Sequence, residues 1–182
     1  MKLKLNNVRL AFPQLFEAKT VNGEGKPAFS GTFLIATDDK QIATINAAID
    51  LVAKDKWGAK ADTMLKQMRA ADKVCLHDGD LKASYDGFPG NMFISARNAV
   101  RPTVLSQSKS PLTEADGKIY AGCYVHAVLE LWAQDNNYGK RVNATLMGVQ
   151  FFADGDSFTG GGAASEDDFD DVTAGANADD LS

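Results

Sequence analysis

The stretch GCYVHAVLELWAQDNNYGKRVNATLMGVQFF, residues 122–152, decides how the rest of the chain is interpreted. Successive side chains of a β-strand point to opposite sides, so residues two apart share a face. One face of its first half is wholly apolar, and a short turn, NNYGKR, leads into a second strand. We therefore predict a long β-hairpin with a buried face and an outward face. The buried face comprises Cys123, Val125, Ala127, Leu129, Leu131 and Ala133, and the outward face Tyr124, His126, Val128, Glu130, Trp132 and Gln134.

The N-terminal third of the chain predicts another hairpin followed by helices. Residues 2–12 and 28–36 alternate as strands do, and turn-forming residues separate them. Asn6 and Asn7 interrupt the first alternation, which indicates a bulge. Isoleucines at helical spacing after Asp39 then predict a helix that breaks near Gly58, and a second helix follows.

The middle of the chain predicts a turn-rich loop and one more strand. LHDGDLKASYDGFPG has the composition of a loop, and NMFISARNAVRP alternates up to Pro102. Several strands with a helical insertion favour a mainly β, OB-fold-like, partly open β-barrel. An OB fold has five strands, with a helix between the third and fourth.

Length and composition place the chain among single-domain proteins of a reducing compartment. It has 182 residues, 45% of them hydrophobic, and only two cysteines, which cannot form a disulfide framework. No stretch is apolar for long enough to cross a membrane, and the N-terminus lacks the apolar core of a secretory signal. We expect a cytoplasmic protein without membrane contact.

Charge divides the chain into a basic body and an acidic tail. Nine of the 24 acidic residues lie from Asp154 onward, where no Lys or Arg occurs, so the body carries 15 acidic against 19 basic residues. GDSFTGGGAAS resembles a flexible linker, and the residues after it are too acidic to pack. We predict a barrel domain over residues 1–153 and a Gly-rich linker with a disordered acidic tail over residues 154–182. The tail either solubilises the protein or competes for the basic surface and recruits other proteins.

Aromatic and basic side chains alternate on the faces that we expect to be outward. Rings that stack on bases and cations that meet phosphates are typical of a surface for single-stranded nucleic acid. The alternative is that the rings pack under a helix and the arginines are merely solvated. The candidate contact residues are Phe93, Arg97, Arg101, Tyr124, Trp132, Tyr138, Lys140 and Arg141, with Lys82 and Tyr85 as weaker candidates.

Two catalytic or metal-binding interpretations are less well supported. His77, Asp78 and Asp80 could serve a metal-dependent nuclease, but no second carboxylate cluster accompanies them, and Asp-Gly pairs usually form turns. Cys75 and His77 could join Cys123 and His126 around zinc, but residues three apart in a strand point to opposite faces. We therefore expect no catalysis, no metal and no cofactor.

Three segments together resemble a family of bacteriophage single-stranded-DNA-binding proteins, long described only as a domain of unknown function. The most specific are Ile119–Val125, Asn136–Lys140 and Leu146–Phe151, and the resemblance extends over nearly the whole chain. It implies an OB-type fold and sequence-tolerant binding of single-stranded DNA during phage replication, recombination or repair. It also implies that the tail contacts replication or recombination proteins.

The tail departs from the bacterial pattern of acids followed by a terminal Pro-Phe, because it ends in Asp179, Asp180, Leu181 and Ser182. The candidate partner-binding residues are Asp167, Asp168, Phe169, Asp179, Asp180 and Leu181. The alternative for the whole protein is a structural or assembly role in the phage particle, with the barrel used for protein contacts.

Overall fold

Two long hairpins and a pair of helices make up the fold of the protein. The computed structural model describes residues 1–21, 23–158, 169, 170 and 172. In this part of the chain there are seven strands and two α-helices. They are β1 (Lys2–Val21), β2 (Glu24–Ala36), α1 (Gln41–Trp57), α2 (Ala61–Ala70), β3 (Leu76–Asp78), β4 (Asn91–Asn98), β5 (Thr103–Leu105), β6 (Tyr124–Asn136) and β7 (Gly139–Ala153).

The strands close into a five-stranded barrel. The hydrogen-bonded order is β3-β4-β2-β1-β6-β7-β5, and β4 also pairs with β7 in parallel through Arg97 and Thr145. This contact closes the ring β1-β2-β4-β7-β6 and leaves β3 and β5 as short additions at its margins. The predicted OB-type barrel is confirmed, although it is closed rather than partly open. The helices lie between the second and third strands of the barrel, not between the third and fourth.

The alternation of β6 predicts its burial correctly. Val125, Leu129 and Leu131 are at most 1% exposed, whereas Trp132 on the opposite face is 44% exposed. The helices contribute Ile45, Ile49 and other apolar side chains to the same core, as their spacing predicts. Burial of these side chains is the main stabilising contribution, at roughly 25 cal/mol per Å² of apolar surface.

The predicted bulge at Asn6 and Asn7 is present and connects β1 to a helix. The register between β1 and β6 shifts between Leu5 and Val8, and Asn7 has a φ of 50°. The side chain of Gln41, at the start of α1, accepts a hydrogen bond from the Asn6 backbone N–H (2.7 Å) and donates one to the Asn6 carbonyl (2.7 Å). The bulge thus fixes the position of the first helical turn.

Residues 154–158 lie along the barrel after β7 ends, and we call them the strap. Arg9 Nη2 donates to the Asp156 carbonyl (2.6 Å), and Tyr120 Oη donates to Asp154 Oδ1 (2.8 Å). Phe158 packs against the outside of the barrel, with Arg9 Cζ 4.3 Å from its ring centroid. The first residues of the predicted linker are therefore attached to the barrel, although β7 itself ends at Ala153.

Most of the predicted tail lies outside the described residues, including Asp167, Asp168, Asp179, Asp180 and Leu181. Phe169 is described and is 71% exposed. Neither α1 nor α2, nor any other helix in the described ranges, has the length and apolar character that a membrane crossing requires.

Candidate nucleic-acid interface

The outward surface of β2 and β4 consists of successive rows of paired residues. At one end Leu34 pairs with Phe93, next Thr32 with Ser95, and then Ser30 with Arg97. The first row is apolar and is covered by Phe88 from the loop between β3 and β4. The other two rows are polar, and a hydrogen bond of 2.9 Å joins the hydroxyls of Thr32 and Ser95. The open part of this surface begins at Ser95, because Thr32 beside it is only 9% exposed.

Two adjoining clefts cross this open surface and form one groove. One has a volume of about 360 Å³ and the other about 290 Å³, and both are lined by Arg97 and Thr145. We call their union the groove. The turn between β6 and β7 borders one end, and the start of β2 borders the other. Its polar and aromatic lining consists of Lys26, Lys73, His77, Ser95, Arg97, Asn98, Trp132, Gln134, Arg141, Asn143 and Thr145.

Positive charge dominates the groove. Four cations line it, which are Lys26, Lys73, Arg97 and Arg141. The lining contains no Asp or Glu. The ion pairs found among the described residues involve other groups. Four cations without carboxylate partners in one concave surface attract a polyanion and release its counterions when they bind it.

Trp132 supplies a large ring at the side of the groove. Its Nε1 donates to Thr145 Oγ1 (3.0 Å) on the neighbouring strand, which fixes the orientation of the indole. Asn143, its partner across the ladder, donates through Nδ2 to Gln134 Oε1 (2.8 Å). A half-exposed indole held by a hydrogen bond can stack on a base at a low entropic cost.

Of the residues predicted to contact nucleic acid, Arg97, Trp132 and Arg141 line the groove together. Tyr138 and Lys140 lie at the β6–β7 turn that borders it, and the Tyr138 side chain is 88% exposed. Lys140 is exposed but does not line the groove, because it faces the opposite way from Arg141 on the strand.

Phe93 requires a correction. It has the predicted orientation, but it is only 4% exposed, because its ring lies between His77 and Phe88 at centroid distances of 5.0 and 5.1 Å. The prediction that its ring faces solvent is therefore wrong.

Arg101 also lies elsewhere than strand alternation predicts. Strand β4 ends at Asn98 rather than at Pro102, so the alternation does not extend to Arg101. Its guanidinium carbon lies 5.5 Å from the ring centroid of Phe29, outside the lining of the groove.

Tyr124 is outward on β6, but it is far from Trp132. They are eight positions apart along the strand, about 26 Å at 3.3 Å per residue. The Tyr124 ring is next to Gly155 of the strap and lies 5.8 Å from Arg9 Cζ. Between the two residues, His126 and Val128 line a separate cleft of about 400 Å³ with Lys2, Lys4 and Met147. The outward residues of β6 therefore lie on three different surfaces, which are the strap, this separate cleft and the groove.

Sequence reasoning missed two cations of the groove. Lys73 follows α2, and its carbonyl accepts a hydrogen bond from the Val142 backbone N–H (3.1 Å), which brings it beside β7. Lys26 lies at the solvent-exposed start of β2. Neither residue lies in an alternating aromatic–basic pattern, so only the long-range pairing of strands could have identified them.

The four possible zinc ligands do not form one site. Cys123 is fully buried while His126 faces outward, as their spacing predicts, and His126 Nδ1 accepts a hydrogen bond from the Asn7 backbone N–H (3.0 Å). His77 Nδ1 lies 2.6 Å from Asp72 Oδ1. Burial raises the pKa of the Cys75 thiol to about 12, which keeps it protonated and unreactive at neutral pH. No group of three or more His, Cys, Asp or Glu side chains suited to a metal occurs in the described part of the chain.

An OB-type barrel whose open face forms a basic groove beside an exposed indole has the geometry suited to a single strand of nucleic acid. The family model described as "Enterobacter phage Enc34, ssDNA-binding protein" matches residues 1–181. The chain therefore belongs to the family of the Enc34 single-stranded-DNA-binding protein, as its sequence segments predict.

The chain is also similar to individual phage proteins. "Putative protein p50" of Acyrthosiphon pisum secondary endosymbiont phage 1 is 49% identical over 176 residues, which is 95% of each chain. The Enc34 protein solved in complex with ssDNA has a TM-score of 0.71 and 29% identity, over 86% of this chain and 88% of that one. The same protein with a C-terminal truncation has a TM-score of 0.72 and 30% identity over the same shares.

Proposed function

We propose that this protein binds single-stranded DNA in the groove, without sequence preference and without catalysis. The observation that supports this most strongly is the convergence of Lys26, Lys73, Arg97 and Arg141 around one exposed indole, with no carboxylate in the lining. The solved complex of the Enc34 relative with ssDNA, which has the same fold, supports the same ligand.

Each type of side chain has a distinct role in this proposal. Trp132 stacks on a base, which contributes about 1–3 kcal/mol and tolerates any base. Arg97, Arg141 and the two lysines contact phosphates, so affinity decreases as salt increases. Tyr138, at the exposed turn between β6 and β7, closes over the strand from the side, and Lys140 adds positive charge to the same turn without lining the groove.

The biological setting of the proposal is phage DNA replication, recombination or repair in the host cytoplasm. The acidic tail has two roles in it. It occupies the groove weakly when no DNA is bound, and DNA must displace it to bind. Once displaced, the tail contacts replication or recombination proteins. Its seven acidic residues between Ser165 and Ser182 support this proposal, because they complement the cations of the groove.

Charge-removing variants test the role of the groove. In the Arg97→Ala and Arg141→Ala variants, we expect weaker binding to oligo-dT and a slope of log affinity against log salt that is smaller by about 0.7 for each phosphate contact removed. Lys66→Ala, which removes an exposed cation of α2 outside the groove, is the matched control and should bind like the wild type. If Arg97→Ala and Arg141→Ala keep the wild-type salt slope, as Lys66→Ala does, the groove is not the binding site.

A further inference from the structure

A pair of exposed aromatic rings lies next to the groove and is not explained by packing alone. The Phe12 and Tyr85 rings meet edge to face with centroids 5.1 Å apart, yet Phe12 is 52% and Tyr85 45% exposed. They form the rim of a cleft of about 470 Å³ whose floor includes Ala11 and Phe88. We call this the aromatic cleft.

The backbone holds Phe12 outward at an energetic cost. Its φ of 48° lies in the left-handed region, which a bulky side chain rarely adopts, and the register between β1 and β2 shifts between Ala11 and Gln14. Such a conformation is energetically unfavourable and persists where the surrounding structure requires it. The bulge turns an aromatic ring away from the sheet and toward the cleft.

The loop that carries Tyr85 is firmly anchored. Phe88 is 1% exposed, and its backbone N–H donates to the Tyr85 carbonyl (3.3 Å), while Asn91 Nδ2 donates to the Gly87 carbonyl (2.6 Å). Tyr85 therefore projects from a fixed backbone, and the two rings are in place before any ligand arrives. A preorganised site loses less entropy when it binds.

The aromatic cleft and the groove lie on the same side of the barrel, with Thr32 between them. Ser95 lines the groove and pairs with Thr32, and Thr32 pairs with Ala11 at the floor of the cleft. Two strand spacings, about 10 Å, separate Ser95 from Ala11. A single strand that leaves the groove at the exposed Ser95 would need to span only this distance to reach the aromatic cleft.

We propose that the aromatic cleft is a second subsite, which takes one nucleobase of the DNA strand already bound in the groove. This inference rests on the proposed function. The base stacks on the face of one ring and meets the other ring edge to face, because the two rings are inclined at 80°. Its phosphate remains outside, toward Lys82, whose Nζ lies 5.9 Å from the Tyr85 ring centroid.

A series of oligo-dT lengths tests the subsite. Wild-type affinity should rise in two steps, the first when the strand fills the groove and the second when it reaches the aromatic cleft. Tyr85→Ala and Phe12→Ala should each weaken binding of the longest oligonucleotide about tenfold and leave the shortest unaffected. Their salt slopes should equal that of the wild type, because no phosphate contact is removed.

Two controls separate stacking from a change in fold. Tyr85→Phe keeps the ring and should bind like the wild type at every length. Phe152→Ala removes a ring that is 40% exposed and packs on His126, outside both clefts, and should have no effect on binding. Each variant's urea midpoint confirms that it is folded.

The outcomes for the subsite and for the groove are distinguishable. If Tyr85→Ala and Phe12→Ala bind all lengths like the wild type while Arg97→Ala is weakened, the aromatic cleft is not a subsite and the groove proposal stands. If the wild-type protein binds no oligonucleotide of any length, both proposals are wrong.

Discussion

At the scale of single residues, the strap depends on two glycines that allow backbones to touch. Gly122 has a φ of 110°, and a Cβ there would overlap the Asp156 carbonyl oxygen. A Cβ at Gly155 would lie 2.8 Å from Tyr124 Cε2 and would also overlap the Gly122 carbonyl oxygen. A side chain at either position would push the strap off the barrel.

We expect Gly122→Ala to lower the free energy of unfolding by about 2 kcal/mol or more, because it combines unfavourable dihedral angles with steric overlap. Gly117→Ala is the matched control. Its φ of 62° is also positive, but no atom lies within 4 Å of the added Cβ, so about 1 kcal/mol is expected. Urea denaturation measures both, and equal losses would contradict the close approach of the strap.

Residue-scale predictions from the sequence succeeded where a strand continues and failed where it ends or is covered. Arg97 and Trp132 lie on the surfaces that alternation assigns to them. Phe93 lies on the face of β4 that alternation predicts, but Phe88 from the preceding loop covers it. The alternation of a strand does not indicate whether a loop covers its outward face. Lys73 reaches the groove only because its backbone bonds to Val142, almost 70 residues away in sequence.

At the scale of elements, the strap extends the barrel past the last strand. Phe158 joins the cluster of Ala11, Leu34, Phe88 and Phe93 on the outside of the sheet, and its backbone N–H donates to the Ala121 carbonyl (3.0 Å). The strap and the loop that carries Phe88 therefore cover the same apolar row of the sheet. The groove is open because the strap and this loop cover the Leu34–Phe93 pair and do not extend over Ser95.

Removing the Phe158 ring tests whether the strap is part of the folded unit. We expect Phe158→Ala to lower the free energy of unfolding by about 2 kcal/mol, since the ring is partly buried and contacts a guanidinium. Phe169→Ala removes a ring that is 71% exposed and should change stability by less than about 0.5 kcal/mol. Two variants of equal stability would mean that the folded unit ends at Ala153.

The type and order of the elements were more predictable than their ends. The sequence predicts a second helix after Gly58, and α2 is present there, with Leu65 and Met68 buried at helical spacing. Strand β4 is shorter than predicted, because Asn98 ends it by bonding through its Oδ1 to the Val100 backbone N–H (2.9 Å). A side chain that competes with the ladder in this way leaves the alternation of the sequence unchanged.

At the scale of the whole molecule, opposite charges are separated along the chain. The body through Ala153 has 15 acidic and 19 basic residues, and all nine other acidic residues follow it. The strap fixes the point at which the tail begins, beside the covered end of the outward face. The remaining 24 residues are long enough to reach the groove, since extended chain spans about 3.3 Å per residue.

Deleting residues 165–182 tests whether the tail competes with DNA. We expect the shortened protein to bind oligo-dT several-fold more tightly than the full chain at low salt, with a difference that shrinks as salt screens the tail from the groove. A full-length variant with the tail acids changed to Asn and Gln should behave like the deletion. Identical affinities for all three proteins at low salt would rule out competition by the tail.

The central claim, that the groove receives single-stranded DNA, is tested most directly by one titration. Full-length protein is added to a fluorescently labelled oligo-dT, and anisotropy is recorded across a series of salt concentrations. The account predicts binding at micromolar affinity or tighter at low salt that weakens linearly in log salt, because phosphate contacts release counterions. Absence of binding at low salt, also after deletion of residues 165–182, would contradict it and would favour a role in assembly of the phage particle.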